Sequence, residues 1–401
     1  MEEASAWAKI RADSRRRDNS CDFSFPNRHF CLNSPPFSTQ PMTDHVKLYI
    51  PGPIEVTDET YAAMSAPMIG HRSKDFQALY AGIQPHLRAA FGTTQPVYLC
   101  TSSAWGIMEG SIRNLVAKKV LNCCCGAFSD KWYDVSLKCG KQAEALNVEW
   151  GQPITPELVD KALSAGGFDA LTIVHNETST GVLNPLGDIS RLVKEKYPEV
   201  LIITDTVSSF STVPTPMDDW GVDVVLLGTQ KALALPPGLA LFSASPAAME
   251  RAKGIEGRGY YFDFIEFQKN GESDMTPSTP AISLIYGLRH RMEKITAEGL
   301  EARYARHARL NALTAAWVEK NGFTFLAPEG YRSKALTCVK NSREIDVANF
   351  VSILKKDHGI AIDGGYGKLK GKTFRVSNMG DETDESMAAV LAAMDDALGK
   401  L

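Results

Sequence analysis

From residue 96 onward the chain alternates short apolar runs with amphipathic stretches, and that rhythm leaves few folds open. Pro96 to Cys100 reads as a strand, Ser103 to Ala117 as a helix with apolar residues at helical spacing, and Val120 to Cys125 as a strand again. Helix Asp130 to Cys139, strand Glu144 to Val148 and helix Thr155 to Ala165 follow. Strand Ala170 to His175, helix Asp188 to Tyr197 and strands Val200 to Thr204 and Val222 to Leu227 complete the series. Strands spaced by helices predict an α/β fold, a mainly parallel sheet with helices on both faces. Crossovers of that kind are right-handed, and ligands collect at the carboxyl ends of the strands.

The rhythm changes after Pro280. Helical pattern runs from Ile282 to Met292 and from Leu300 to Lys320, and later from Ile345 to Asp357 and Asp384 to Leu398. Between them Phe323 to Leu326, Leu336 to Val339, Ile360 to Ile362 and Phe374 to Val376 read as strands. The expected division is a large domain with an N-terminal arm at 42–297 and a smaller α+β domain at 298–401. Residues 1–41 mix Arg, Ser, Asn, Pro and Cys without periodicity, and Met42 stands just before the first patterned segment, Val46 to Ile50. We expect 1–41 to be a disordered extension or an over-extended translation start; its acidic residues argue against a transit peptide.

Charge narrows the partners. With 43 basic and 47 acidic side chains the net charge is -4, and Arg15-Arg16-Arg17 is the one basic block, so neither nucleic acid nor a membrane is an expected partner. No apolar run approaches the ~18 residues of a membrane span. The eight cysteines show no paired spacing with one another or with histidines that would suggest zinc, so no metal is expected. Unpaired cysteines of this kind point to a reducing compartment, and the cytoplasm is the expectation. Gly399-Lys400-Leu401 only partly matches a peroxisomal address and reads better as a helix end.

Chemistry concentrates at the strand ends. Lys231 lies in Gly228-Thr229-Gln230-Lys231-Ala232-Leu233, just past the run Val222 to Leu227, where its amine is poised to form a Schiff base with an aldehyde. Asp205 ends the run Leu201-Ile202-Ile203-Thr204, where a carboxylate can keep a pyridine nitrogen protonated. Pyridoxal phosphate makes both demands at once. A lone lysine is more often a solvated surface charge, and a lone Asp here could cap the segment from Thr206; the pair in its strand context is harder to explain away.

Thr101 to Gly106 sits between a strand and a helix, so free N–H groups and the helix dipole converge on one spot suited to a phosphate, with the Ser103 hydroxyl beside them. In isolation that turn is an ordinary N-cap. Phe128, after the strand ending at Cys125, can stack on a flat heterocycle, although such a phenylalanine is more often core. Asn176 to Gly181, which includes Thr178, offers hydroxyls to a ring oxygen and is otherwise a polar turn.

The whole set resembles the class V aminotransferases, and within them the alanine/serine–glyoxylate (serine–pyruvate) group. The likeness rests on Gly228 to Leu233 with Pro236-Pro237-Gly238, Asn176 to Gly181, Asp205 to Ser209, Tyr49 to Pro53, Met68 to Ser73, Thr279 to Ser283 and Arg375, in order over roughly 46–400. It implies the pyridoxal-phosphate fold of type I, with a seven-stranded sheet, and a ping-pong transaminase acting on a small amino acid and a 2-oxo acid. It further implies that Lys231 binds the cofactor and moves the proton. Gln230, Ser103 and the backbone of Ala104 and Trp105 would hold its phosphate, and Val207 and Phe128 its two ring faces. Arg375 would clamp the substrate carboxylate bidentately. Gly52 would lie against the substrate, and Ser278 or Thr279 would reach the partner's phosphate in a homodimer.

Members often carry Trp where Phe128 stands, and Gly or His in the Ser103-Ala104-Trp105 corner, so Trp105 bears on pocket size. Gly364-Gly365-Tyr366-Gly367 precedes a strand and reads as a flap beside Arg375, not as a dinucleotide motif. Within the same fold a cysteine desulfurase is the alternative, but it needs a reactive cysteine, and Cys338 lies in the apolar run Ala335 to Val339. A class V enzyme taking an aminoethylphosphonate or ureidoglycine donor is a further alternative.

Overall fold

The computed structural model describes residues 45–401, and the extension expected at 1–41 lies outside them. His45–Leu401 forms one compact unit. Its centre is a seven-stranded sheet in the order Val97–Cys100, Ala240–Ala244, Val224–Gly228, Leu201–Asp205, Ala170–Val174, Lys119–Cys124 and Gln142–Asn147. Ala240–Ala244 alone runs antiparallel to its neighbours. That strand falls outside the predicted series because it returns directly from the Lys231 turn with no helix before it, so the alternation carries no mark of it.

Register sets the site. Cys100 and Gly228 both pair with Ala240, Asp205 lies opposite Val174 and Leu226, and Cys124 lies opposite Asn147. The parallel strands therefore finish together, and the turns after Cys100, Cys124, Val174, Asp205 and Gly228 leave one edge of the sheet. Neighbouring strands lie ~4.8 Å apart, so residues from five separate turns reach one small volume.

Successive strand residues feed opposite faces. Leu227 and Leu241 join one core with Leu121, Ile173 and the helices Lys74–Phe91 and Ile282–Glu298, while Leu226 and Phe242 join the other with Val120, Ile203 and the helix Ala104–Leu115. Burial on both faces explains why these strands are apolar at nearly every position. The helix Lys74–Phe91, missing from the predicted series, starts at a Ser73 cap and stops at Gly92 with φ 60°, as helix ends commonly do.

Toward the C-terminus, Thr324–Phe325, Leu336–Lys340 and Thr373–Ser377 form a three-stranded antiparallel sheet. Helices Leu300–Lys320, Val347–His358 and Asp384–Gly399 close its core around Trp317, Phe323, Phe350 and Phe374. Ile360–Ala361 pairs instead with Lys47–Leu48, and Tyr49 is buried in this C-terminal core. The arm at 45–53 thus ties the C-terminal elements to the Lys231 turn, since Ile54 N–H donates to the Gln230 carbonyl at 3.1 Å.

Candidate active site

Thr229 fixes the turn after Val224–Gly228: its hydroxyl lies 3.0 Å from the Pro236 carbonyl and 3.1 Å from that of Leu239. Lys231 is thereby turned inward and is 8% exposed. Its Nζ donates to the Pro51 carbonyl at 2.8 Å and to Thr178 Oγ1 at 3.3 Å. Burial lowers the amine to about 8, against the opposing pull of the Asp205 charge. Gly52, at φ 130°, lies against this side chain; a Cβ there would sit 3.1 Å from Lys231 Cγ. Glycine is needed for both the backbone angle and the space.

Asp205 is 6% exposed, and its Oδ1 accepts the Val207 N–H at 2.6 Å. Burial raises the acid to about 7, with the Val207 N–H and the Lys231 charge pulling back. Among the described residues it has no ion-pair partner, so the carboxylate is kept for a cationic donor that the chain itself does not supply. A protonated pyridine nitrogen is such a donor.

Thr178 links the amine to the clamp. Its hydroxyl contacts Lys231 and hydrogen-bonds Ser208, and its carbonyl accepts from one terminal nitrogen of Arg375 at 2.8 Å. Arg375 Nε and its other terminal nitrogen both lie 2.8 Å from Asp363 Oδ1. Two of five guanidinium N–H groups are hydrogen-bonded, on Nε and one terminal nitrogen. At least one remains on each terminal nitrogen, the pair that can receive a carboxylate bidentately.

Ser103 stands at the N-cap of Ala104–Leu115, yet its side chain makes no cap bond. First-turn N–H groups have no partner inside the helix, so those of Ala104 and Trp105 face outward with the Ser103 hydroxyl, an anion cradle. The Gln230 side chain folds back over Gly228, where its Oε1 would lie 2.6 Å from an added Cβ. Lys131 lies 4.6 Å over the Trp105 ring, bringing one more cation to this corner. Phe128 lies 5.7 Å from Lys231 Nζ, and Val207 is half-buried beside Asp205.

Ser278 and Thr279 line a cleft with Cys100 and Thr101, at the start of the Ser103 turn, but neither hydroxyl hydrogen-bonds Lys231, Gln230 or Ser103. Ser278 offers its carbonyl to Thr276, and the Thr279 hydroxyl lies 3.4 Å from His71 Nε2.

Sequence reasoning missed Glu177, Asp363 and Tyr366. Glu177 is fully buried; its carboxylate accepts from Ser129 N–H at 3.0 Å, Ser179 N–H at 3.1 Å and Phe128 N–H at 3.4 Å. It clamps the Phe128 turn to the Thr178 turn. A charged residue inside an otherwise hydroxyl-rich strand-end turn was the available signal. Asp363 gave none, and Tyr366 was legible only as part of the flap expected beside Arg375, because their individual roles depend on how that loop folds back from outside the sheet.

The amine, the unpaired acid, the uncapped helix end and the aromatic platform fit pyridoxal phosphate, and together they define an enzyme that works through that cofactor. Residues 124–377 match the family model described as Aminotransferase class-V. An uncharacterised aminotransferase of Methanocaldococcus jannaschii is 36% identical, covering 88% of this chain and 93% of that protein. The soluble hydrogenase small subunit of a Synechococcus strain is 34% identical, covering 90% and 94%. Serine–glyoxylate aminotransferase of Methylorubrum extorquens is 32% identical, covering 88% and 90%. The crystal structure of alanine–glyoxylate aminotransferase from Nostoc superposes with a TM-score of 0.84 at 29% identity, covering 89% and 96%. The chain belongs to the class-V aminotransferases. It is a pyridoxal-phosphate-dependent transaminase, with an amino acid and a keto acid as substrates.

Proposed function

We propose that this transaminase takes its amino group from alanine or serine and delivers it to glyoxylate or pyruvate in two half-reactions on one site. The observation that carries the reading is a guanidinium with N–H groups to spare beside a buried amine whose stem packs against Gly52. Arg375 keeps at least one N–H on each terminal nitrogen for a carboxylate, and Gly52 presses on Lys231 where a bulkier residue would collide. The enzymes of Methylorubrum and Nostoc, named for glyoxylate as acceptor, support the same choice.

When bound, the cofactor supplies an aldehyde for the amino group and an electron-withdrawing ring. Asp205 would hold the ring nitrogen protonated through a close opposite charge. Lys231 Nζ, lowered by burial to about 8, gives up its proton more readily than an ordinary lysine, and would take a proton from the substrate α-carbon and return it. Thr178 and the Pro51 carbonyl orient that amine, while Arg375 fixes the carboxylate and so the direction of the Cα–H bond. Ser103, Gln230 and the N–H groups of Ala104 and Trp105 would bind the phosphate, and Phe128 and Val207 would flank the ring.

The proposal extends to a homodimer in which Ser278 or Thr279 serves the partner's phosphate, supported by the lack, among the described residues, of any hydrogen bond from either hydroxyl to Lys231, Gln230 or Ser103. It also includes a cytoplasmic location, supported by six free cysteines among the described residues.

Adding L-alanine or L-serine to the holoenzyme tests the donor: the visible cofactor band should bleach as the 2-oxo acid forms, and glyoxylate should restore it. A band that neither donor changes would sink the substrate assignment.

A further inference from the structure

Resting on that reading, we propose that Tyr366 is a specificity-determining residue: its ring is the wall that meets the substrate side chain and keeps it short. Tyr366 touches both halves of the site. Its ring stacks on Phe128 with centroids 5.3 Å apart and planes 23° apart, and the Arg375 guanidinium lies 5.6 Å from its centroid. Arg375 fixes one end of the substrate, and Lys231 Nζ, 5.7 Å from the Phe128 ring, approaches its α-carbon. Gly52 packs on the Lys231 stem, and the Tyr366 ring, in reach of both the Phe128 ring and the Arg375 guanidinium, is the group placed to meet the substituent on that carbon.

The loop is built to hold the ring there. Gly365, at φ 94°, leaves no space for a side chain, since a Cβ would lie 2.4 Å from the Leu369 carbonyl oxygen. Asp363, which binds Arg375, also accepts the Gly365 N–H at 2.8 Å, so clamp and loop share one carboxylate. Two residues past Tyr366, Lys368 rests 4.0 Å over the Trp150 ring, whose indole N–H donates to Asp130 at 2.9 Å. The loop thus seats on the helix that carries Phe128. Tyr366 remains 45% exposed, a large aromatic outside every core cluster, so folding alone gives little reason for it.

Calorimetric binding of straight-chain 2-oxo acids to the holoenzyme, from pyruvate to 2-oxohexanoate, tests the wall without relying on turnover. Wild type should favour pyruvate by about 10-fold or more, the discrimination that added methylenes produce against a closed pocket. Tyr366→Ala, or Tyr366→Leu where the alanine variant folds poorly, should abolish that preference, while Tyr366→Phe keeps it. Unchanged discrimination in the truncated variant, or a wild type that binds the longest acid best, overturns the proposal. Failure of L-alanine to bleach the holoenzyme would instead count against the donor assignment and leave the chain-length comparison standing.

Discussion

A Cβ placed on Gly126 would lie 2.4 Å from Glu177 Cγ. Backbone and carboxylate stem are in direct contact there, and the same carboxylate caps the helix carrying Phe128. The turn after Lys119–Cys124 and the turn after Ala170–Val174 therefore move as one piece. Gly126→Ala should cost about 1–3 kcal/mol, the usual penalty of overpacking. Urea unfolding measures it, and a midpoint equal to wild type would show that the contact relaxes freely.

On the proposed reading, Lys231→Ala removes both the covalent anchor and the proton carrier. The half-reaction should slow by roughly 10²–10⁴, the range for losing a positioned acid–base group. Borohydride trapping followed by peptide mapping should find the cofactor on Lys231 in wild type and nowhere in the variant. A reduced adduct on another lysine would refute the assignment.

Arg375→Lys replaces a planar fork with a point charge. Loss of a charged hydrogen bond costs about 1.5–3 kcal/mol, so KM for the amino donor should rise roughly 10- to 150-fold. Asp363→Asn should have a smaller effect in the same direction, because it orients the guanidinium without touching substrate. Steady-state kinetics with several donors separates the two.

The pair at the centre gives the cofactor-free protein a distinctive pH profile. Asp205, raised to about 7 by burial, holds a proton between pH ~4 and 7 that the unfolded chain has lost, so stability falls as pH rises through that window. Lys231, lowered to about 8 by burial, lacks a proton between 8 and ~10.4 that the unfolded chain keeps, so stability rises there. Each group contributes a slope of at most about 1.4 kcal/mol per pH unit. The minimum falls between 7 and 8, and Asp205→Asn should abolish the descending limb. Urea unfolding of both cofactor-free proteins, taken as a difference at each pH, checks the sign.

Cys338 should not act as a nucleophile. Burial raises its thiol to about 12, the sulfur lies 3.9 Å from the Ser179 carbonyl, and a Cβ on Gly181 would lie 2.8 Å from Cys338 Cβ. A thiolate is the reactive form, and almost none exists near neutrality. L-cysteine should yield no sulfide, and Cys338→Ala should retain transamination. Sulfide release that disappears in Cys338→Ala would revive the desulfurase alternative.

Much of the site was legible because parallel strands bring their carboxyl ends together. Lys231, Asp205, Thr178 and Phe128 each follow an apolar run, and a run of that kind announces both its strand and the turn after it. Tyr366 follows only the short run Ile360 to Ile362, outside the central sheet; its place beside Phe128 depends on glycine turns and on Asp363 meeting Arg375 across the fold. The strand Ala240–Ala244 escaped for a related reason, since an antiparallel return needs no helix to announce it.

Local pattern by itself determined the layered α/β class, the cofactor chemistry and the residues at the strand ends, because periodicity and residue type are properties of short segments. Tertiary structure alone decided that Glu177 joins two turns, that Asp363 holds Arg375, and that the amine and acid sit deep enough to shift toward each other near neutral pH. Those facts depend on the distance and burial of groups far apart in the chain, which no short segment encodes.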